Sequence, residues 1–150
     1  MPAPAIPKKI LARQHQLLAD FTRLVHAHVD DLAAGRATEA LEIRDFAGQL
    51  CLHPTHLSNT IKLVTGEAAC AIYERKLLAV AQALLLDPTQ TIGAVAARLT
   101  YDPSNFTKFF KHFAGCTPRQ FREEAWARQR TETSETVTKK SGLLTSAEAR

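Results

Sequence analysis

Residues 43–66 of this chain recur as residues 92–115, and this internal repeat constrains the fold more than any other feature. Ile43, Ala47, Leu50, Pro54, Lys62 and Gly66 reappear as Ile92, Ala96, Leu99, Pro103, Lys111 and Gly115. Other positions keep their character: Phe46 and Val95, Leu52 and Tyr101, Thr55 and Ser104, Leu57 and Phe106, Ser58 and Thr107, Ile61 and Phe110, Val64 and Phe113. Each copy opens with apolar residues at helical spacing, Ile43, Phe46, Ala47 and Leu50 in the first and Ile92, Val95, Ala96 and Leu99 in the second. A short turn follows. His53 or Asp102 then precedes a proline, which suits a helix start because the missing N–H would be unpaired there. The second helix of each copy runs to a glycine, a residue suited to a left-handed stop. Helix, tight turn, helix is the grammar of a helix-turn-helix unit.

The remaining segments arrange themselves around the two units. Residues 1–9 hold three prolines and read as a flexible N-terminus. Residues 10–35 read as an N-terminal helix ending at Gly35. Within it Leu11, Leu18, Val25 and Leu32 recur every seven residues, so residues 10–34 offer a homodimer seam, although packing on the helix's own domain explains the pattern more simply. Residues 36–128 form the main domain: a first helix-turn-helix at 43–66, a linker helix at 68–86, a second helix-turn-helix at 92–115 and a closing helix at 118–128. A linker of that length spans about 28 Å, close to one turn of a DNA duplex at about 34 Å. Residues 129–150 are rich in Thr, Ser, Glu and Lys and read as a disordered tail, with too little apolar surface to offset ordering entropy. No segment alternates with period two, so the expected class is all-α: two helix-turn-helix subdomains joined by a long linker helix and preceded by an N-terminal helix.

The chemistry sits on the second helix of each unit. Leu57, Ile61 and Val64, and then Phe106, Phe110 and Phe113, make the inward stripes. The outward stripes are Thr55, Ser58, Asn59 and Lys62, and Ser104, Thr107, Lys108 and Lys111. Neither outward stripe holds a carboxylate, whereas a merely solvated face mixes both signs. Asn, Lys, Ser and Thr carry the donors and acceptors that read base edges in a major groove. Thr55, Ser58, Asn59, Ser104, Thr107 and Lys108 are therefore the candidate base readers, and Lys62, Lys111, Arg119 and Arg122 the candidate phosphate contacts. The formal net charge of +4 agrees with a polyanionic partner, double-stranded DNA.

Other chemistries find little support. Cys51, Cys70 and Cys116 form no CxxC pair and read as small, mostly buried, reduced thiols. His53 and His56, with His26 and His28, lack further ligands for a zinc site, so no metal or other cofactor is expected. No apolar run is long enough for a membrane span, and the first residues lack a secretion signal's apolar core; a cytoplasmic, nucleoid-associated protein is the expectation.

Residues 99–124, LTYDPSNFTKFFKHFAGCTPRQFREE, resemble the second helix-turn-helix signature of the bacterial AraC family of transcription regulators. The resemblance is carried by Tyr101, Phe106, Lys108, Phe110, Lys111, Gly115, Thr117, Pro118, Phe121 and Arg122. Residues 50–66 match the first signature more loosely, and Ile72, Arg75, Leu84 and Leu85 resemble the family's linker helix. Asn59 stands where the family often carries a longer, cationic side chain. The resemblance implies a sequence-specific regulator, activator or repressor, that meets DNA and RNA polymerase and has no catalytic residue. Two readings compete with it. A DNA-repair alkyl transferase would need a reactive cysteine, and no Pro-Cys-His-Arg motif occurs. A protein-interaction module without DNA binding would not need carboxylate-free outer faces.

Overall fold

The computed structural model describes residues 4–148, with side chains through Thr136. Among them the chain forms seven helices and no strand: α1 (Lys8–Ala33), α2 (Ile43–Gln49), α3 (Pro54–Thr65), α4 (Ala69–Leu85), α5 (Ile92–Arg98), α6 (Pro103–Ala114) and α7 (Pro118–Glu148). The fold is all-α, and the repeat appears as the pairs α2–α3 and α5–α6 on either side of α4.

Helix α1 buries Phe21, Val25, Val29 and Leu32, a stripe at spacings of three and four. The stripe packs on α4 and α3 and touches α2. The seven-residue spacing is thus not a continuous seam: Val25 and Leu32 are buried inside the domain, Leu18 is half-buried and Leu11 is exposed. Lys76 of α4 pairs with Asp30 at 3.1 Å, and Arg98 of α5 donates to the Ala33 carbonyl at 3.0 Å, so α1 also reaches the second unit.

Helix α4 is the spine. Ala69, Ile72, Leu77, Ala81 and Leu85 are buried, and the helix meets α1, α3, α5, α6 and α7. With 17 residues it is about 25 Å long. Helix α7 opens with a capping box that the Thr-Pro-Arg-Gln sequence encodes: the Gln120 amide donates to Thr117 Oγ1 at 3.2 Å, and the Thr117 amide donates to Gln120 Oε1 at 3.0 Å.

Three expectations change. Helix α7 does not close at residue 128; its backbone continues as helix to Glu148. The hydroxyls of Thr131, Thr133, Ser134 and Thr136 each donate to the carbonyl four residues back, the local bond that Ser and Thr make within a helix. The last two residues of the expected tail, like the first three of the flexible N-terminus, lie outside the described residues. The cysteines are not mostly buried: Cys51 and Cys70 are exposed and Cys116 is intermediate. Cys51 occupies a turn, and Cys70 the first turn of α4, both at the surface. Phe113 is also exposed, because Phe121 of α7 packs on Phe110 (5.5 Å between centroids) and leaves the last turn of α6 open.

Two consequences can be measured. Phe21 is buried and meets Phe46 edge-on at 5.6 Å, so Phe21→Ala should lower the unfolding free energy by about 3–5 kcal/mol in urea titrations. His28 lies between Phe46 and Tyr73, with its Nε2 buried and unpaired. Burial pushes its pKa below the ordinary value of 6.5, against the opposing pull of Asp31 and Asp45. A depressed histidine favours the fold above its unfolded pKa and loses that advantage on acidification. Stability should therefore fall as the pH drops below 6.5, and His28→Met should flatten the slope in denaturant titrations across that range.

Candidate nucleic-acid interface

The two units share one backbone solution. In the first turn the Leu52 amide donates to the Ala47 carbonyl at 2.8 Å and the Cys51 amide to the Gly48 carbonyl at 3.1 Å. In the second the Tyr101 amide donates to Ala96 at 2.8 Å and the Thr100 amide to Ala97 at 3.0 Å. These are paired Schellman bonds, which require a left-handed residue between them. Cys51 (φ 57°) and Thr100 (φ 69°) supply it, without being glycine.

The second helices start and stop alike. His53 Nδ1 accepts from the Thr55 amide at 3.2 Å, and the Asp102 carboxylate accepts from the Asn105 amide at 3.3 Å. Gly66 and Gly115 end the helices at φ 77° and 81°, their amides donating to Lys62 and Lys111. Leu57, Thr60 and Ile61 anchor α3, and Phe106 and Phe110 anchor α6. Thr60 was not foreseen in the core; it lies on the flank where α3 meets its neighbours.

The outward stripes hold one face of each helix. Thr55, Asn59 and Lys62 are exposed on α3, with Ser58 half-buried beside them. Ser104, Lys108 and Lys111 are exposed on α6. Thr107 is half-buried, and its hydroxyl donates to the Pro103 carbonyl at 2.9 Å, leaving its methyl and oxygen lone pairs for any partner. Neither helix contains a carboxylate. Asn59, Lys62, Lys108 and Lys111 make no side-chain hydrogen bond or ion pair with another described residue. Two further groups share these faces. His56 and Asn105 are exposed and occupy the same place in the two copies. Asn105 was missed, although its alignment with His56 across the repeat was the signal that marks it.

The two arginines after Pro118 part company. Arg119 is exposed and pairs only with Glu123 on its own helix, at 3.2 Å. Arg122, expected at phosphates, is turned the other way. Its Nε donates to the Leu85 carbonyl at 2.7 Å, and its Nη2 to Gln90 at 2.6 Å and Asp87 at 3.4 Å. Its guanidinium lies over the Trp126 ring, and Trp126 Nε1 donates to Leu86 at 3.2 Å. The last carbonyls of α4 have no intrahelical donors, and a cation there meets both the carbonyls and the negative end of the helix dipole. Arg122 therefore belongs to the framework and not to the outward face.

A family model described as a helix-turn-helix domain matches residues 46–124, more than half of the chain's 150 residues. No curated protein sequence matches it. Among solved structures, the chain is similar to an AraC-type DNA-binding domain-containing regulator from Chromobacterium violaceum: TM-score 0.62, 19% identity, 75% of this chain and 95% of that one. It is similar to a DNA-binding transcriptional dual regulator from Escherichia coli K-12: TM-score 0.61, 16% identity, 72% of this chain and 94% of that one. A third is the DNA-binding domain of AdpA, a global transcriptional factor, in complex with a target DNA: TM-score 0.57, 21% identity, 70% of this chain and 96% of that one. At these identities the likeness establishes the fold.

Two substitutions probe the framework. Thr100 is exposed, β-branched and left-handed, so Thr100→Gly should raise stability by about 1 kcal/mol, net of glycine's entropy, in thermal unfolding. Arg122→Met should lower stability by about 2–3 kcal/mol by stranding carbonyls, as read in denaturant titrations.

Proposed function

The chain belongs to the AraC-type helix-turn-helix family, and from that premise we propose that it is a sequence-specific DNA-binding regulator of transcription. It reads two adjacent major-groove segments with α3 and α6. The observation that carries this reading is the repeated polar face, free of carboxylates, on two helices of the same backbone design, with Asn59, Lys62, Lys108 and Lys111 making no side-chain hydrogen bond or ion pair among the described residues.

Thr55, Ser58, Asn59, Ser104, Thr107 and Lys108 are assigned to base edges, and Asn105 joins them because its free amide can pair with adenine in two places. Lys62, Lys111 and Arg119 are assigned to phosphates, where they give affinity without sequence preference. No residue is assigned a catalytic role. On a promoter such a module contacts RNA polymerase or occludes it, which places the protein on the nucleoid in the cytoplasm. A homodimer seam on α1 is confined to its first turns, where Ile10 and Leu11 are exposed, since the stripe from Phe21 onward is used inside the domain. Among the described residues no helix is long and apolar enough to cross a membrane.

The test is selection from a random duplex library, followed by titration of the winner and a scrambled duplex over a salt series. Asn59→Ala and Lys108→Ala should narrow the gap between the two duplexes by about 1–3 kcal/mol. Lys111→Ala should weaken both alike and reduce the salt slope by about one. Equal affinity of the unmodified protein for winner and scramble would overturn sequence reading.

A further inference from the structure

A cavity of about 420 Å³ opens between the first unit and the turn of the second. Phe21, Phe46, Tyr73 and Tyr101 line it, together with Glu42 and Glu74. Its volume is in the range of small-molecule sites, and its lining is apolar and aromatic with a few polar groups. Phe46 makes ring contacts with Phe21 (5.6 Å) and Tyr73 (6.3 Å), so that side of the wall is preformed.

The charge is unbalanced. Arg44 answers Glu42 at 3.0 Å on the surface. The two cations that follow Glu74 on α4 are taken, Arg75 by Glu67 at 2.7 Å and Lys76 by Asp30 at 3.1 Å. Glu74 is half-buried and has no hydrogen bond or ion pair with another described residue. Its charge is felt by Tyr101, whose phenol is pushed up first by burial and then by Glu74, and Tyr73 is likewise pushed up by burial and then by Tyr101. Aromatic faces attract a desolvated cation through the ring quadrupole, and a carboxylate without a partner adds to that attraction while repelling anions.

We propose that this cavity binds a small organic cation, an ammonium on an alkyl or aromatic body, between Glu74 and the rings of Tyr73 and Tyr101. The occupant touches both units at once. Tyr101 follows the left-handed Thr100 in the second turn and stacks on Phe109 of α6 at 5.2 Å, so a ligand held from α4 bears on the base of the second reading helix. Resting on the DNA-reading function proposed above, the cation then couples to DNA affinity, and the coupling is reciprocal.

Benzyltrimethylammonium is the probe and benzenesulfonate its anionic control, each titrated calorimetrically into the whole chain without DNA. The probe should bind saturably, the control should not, and Glu74→Gln should weaken the probe at least about fivefold with unchanged circular dichroism. Tyr101→Phe should keep binding and Tyr101→Leu should lose it. Cys70, which also lines the cavity, should be alkylated more slowly when the probe is bound, as read by peptide mass spectrometry. No saturation up to about 10 mM, equal binding of the control, or an unchanged affinity in Glu74→Gln overturns the site. A separate titration of the selected duplex with and without probe tests the coupling. An unchanged DNA affinity overturns the coupling alone, and failure of DNA binding in the absence of probe is a failure of the DNA-reading function, not of the site.

Discussion

Helix α4 has to satisfy neighbours on several sides, and the placement of both α3 and α6 follows from how it does so. Ile72 and Leu77 belong to a core that α1 closes, while Ala81 and Leu85 continue that core toward α5, α6 and α7. A helix buried in this way cannot keep one polar face along its whole length, and the sequence from Ala79 to Leu86 accordingly contains no charge. The cost falls at its C-terminus, where free carbonyls meet an apolar core. Arg122 and Trp126 resolve that conflict together, the charged arginine's hydrogen bonds being worth about 1.5–3 kcal/mol each and the neutral indole's about 0.5–1.5 kcal/mol. The turning of Arg122 away from the outward face and onto these carbonyls is thus what fixes α7, and with it the second unit, onto the linker.

The two units reuse one backbone and diverge in everything laid over it. Both accept a non-glycine left-handed residue in the turn, a strain of about 1–2 kcal/mol that the surrounding bonds maintain. The first unit is roofed by α1 and packed with Leu57 and Ile61. The second is packed with phenylalanines and held by α7. The outward faces diverge too: α3 offers one lysine and an asparagine, α6 two lysines and an asparagine. On the proposed function, phosphate attraction is weighted to the second unit.

The repeat made most of this legible. Identical residues at equal spacing marked both helix pairs, their proline starts, their glycine stops and the polar faces opposite the apolar stripes. What stayed hidden depended on distant partners. Arg122 sits among cations in sequence, but its acceptors lie between Leu85 and Gln90, far back along the chain. Phe113 has the right period for burial, yet exposure is decided by where Phe121 lands. The register of α1 was ambiguous for a similar reason: Phe21 and Val29 displace the seven-residue series because the groove between α3 and α4 selects them. The helical course of α7 past residue 128 has few apolar residues to announce it in sequence, and its threonine and serine hydroxyls return to carbonyls on the same helix.

On the proposed function, a stiff linker has a consequence for the DNA. Two readers on a rigid frame give up little freedom on binding, because engagement of the first raises the effective concentration of the second. The same stiffness forbids adjustment. Helix α4 is about 25 Å long, while successive major-groove segments on one face of a straight duplex lie about 34 Å apart. Since α4 is gripped by five other helices, the mismatch is not absorbed by bending it. It is met either by the outward splay of α3 and α6 from the ends of α4 or by curvature of the duplex, and curvature costs about 1–6 kcal/mol depending on the sequence bent. Base pairs that neither helix touches then contribute to selectivity through their stiffness, with no side chain assigned to them.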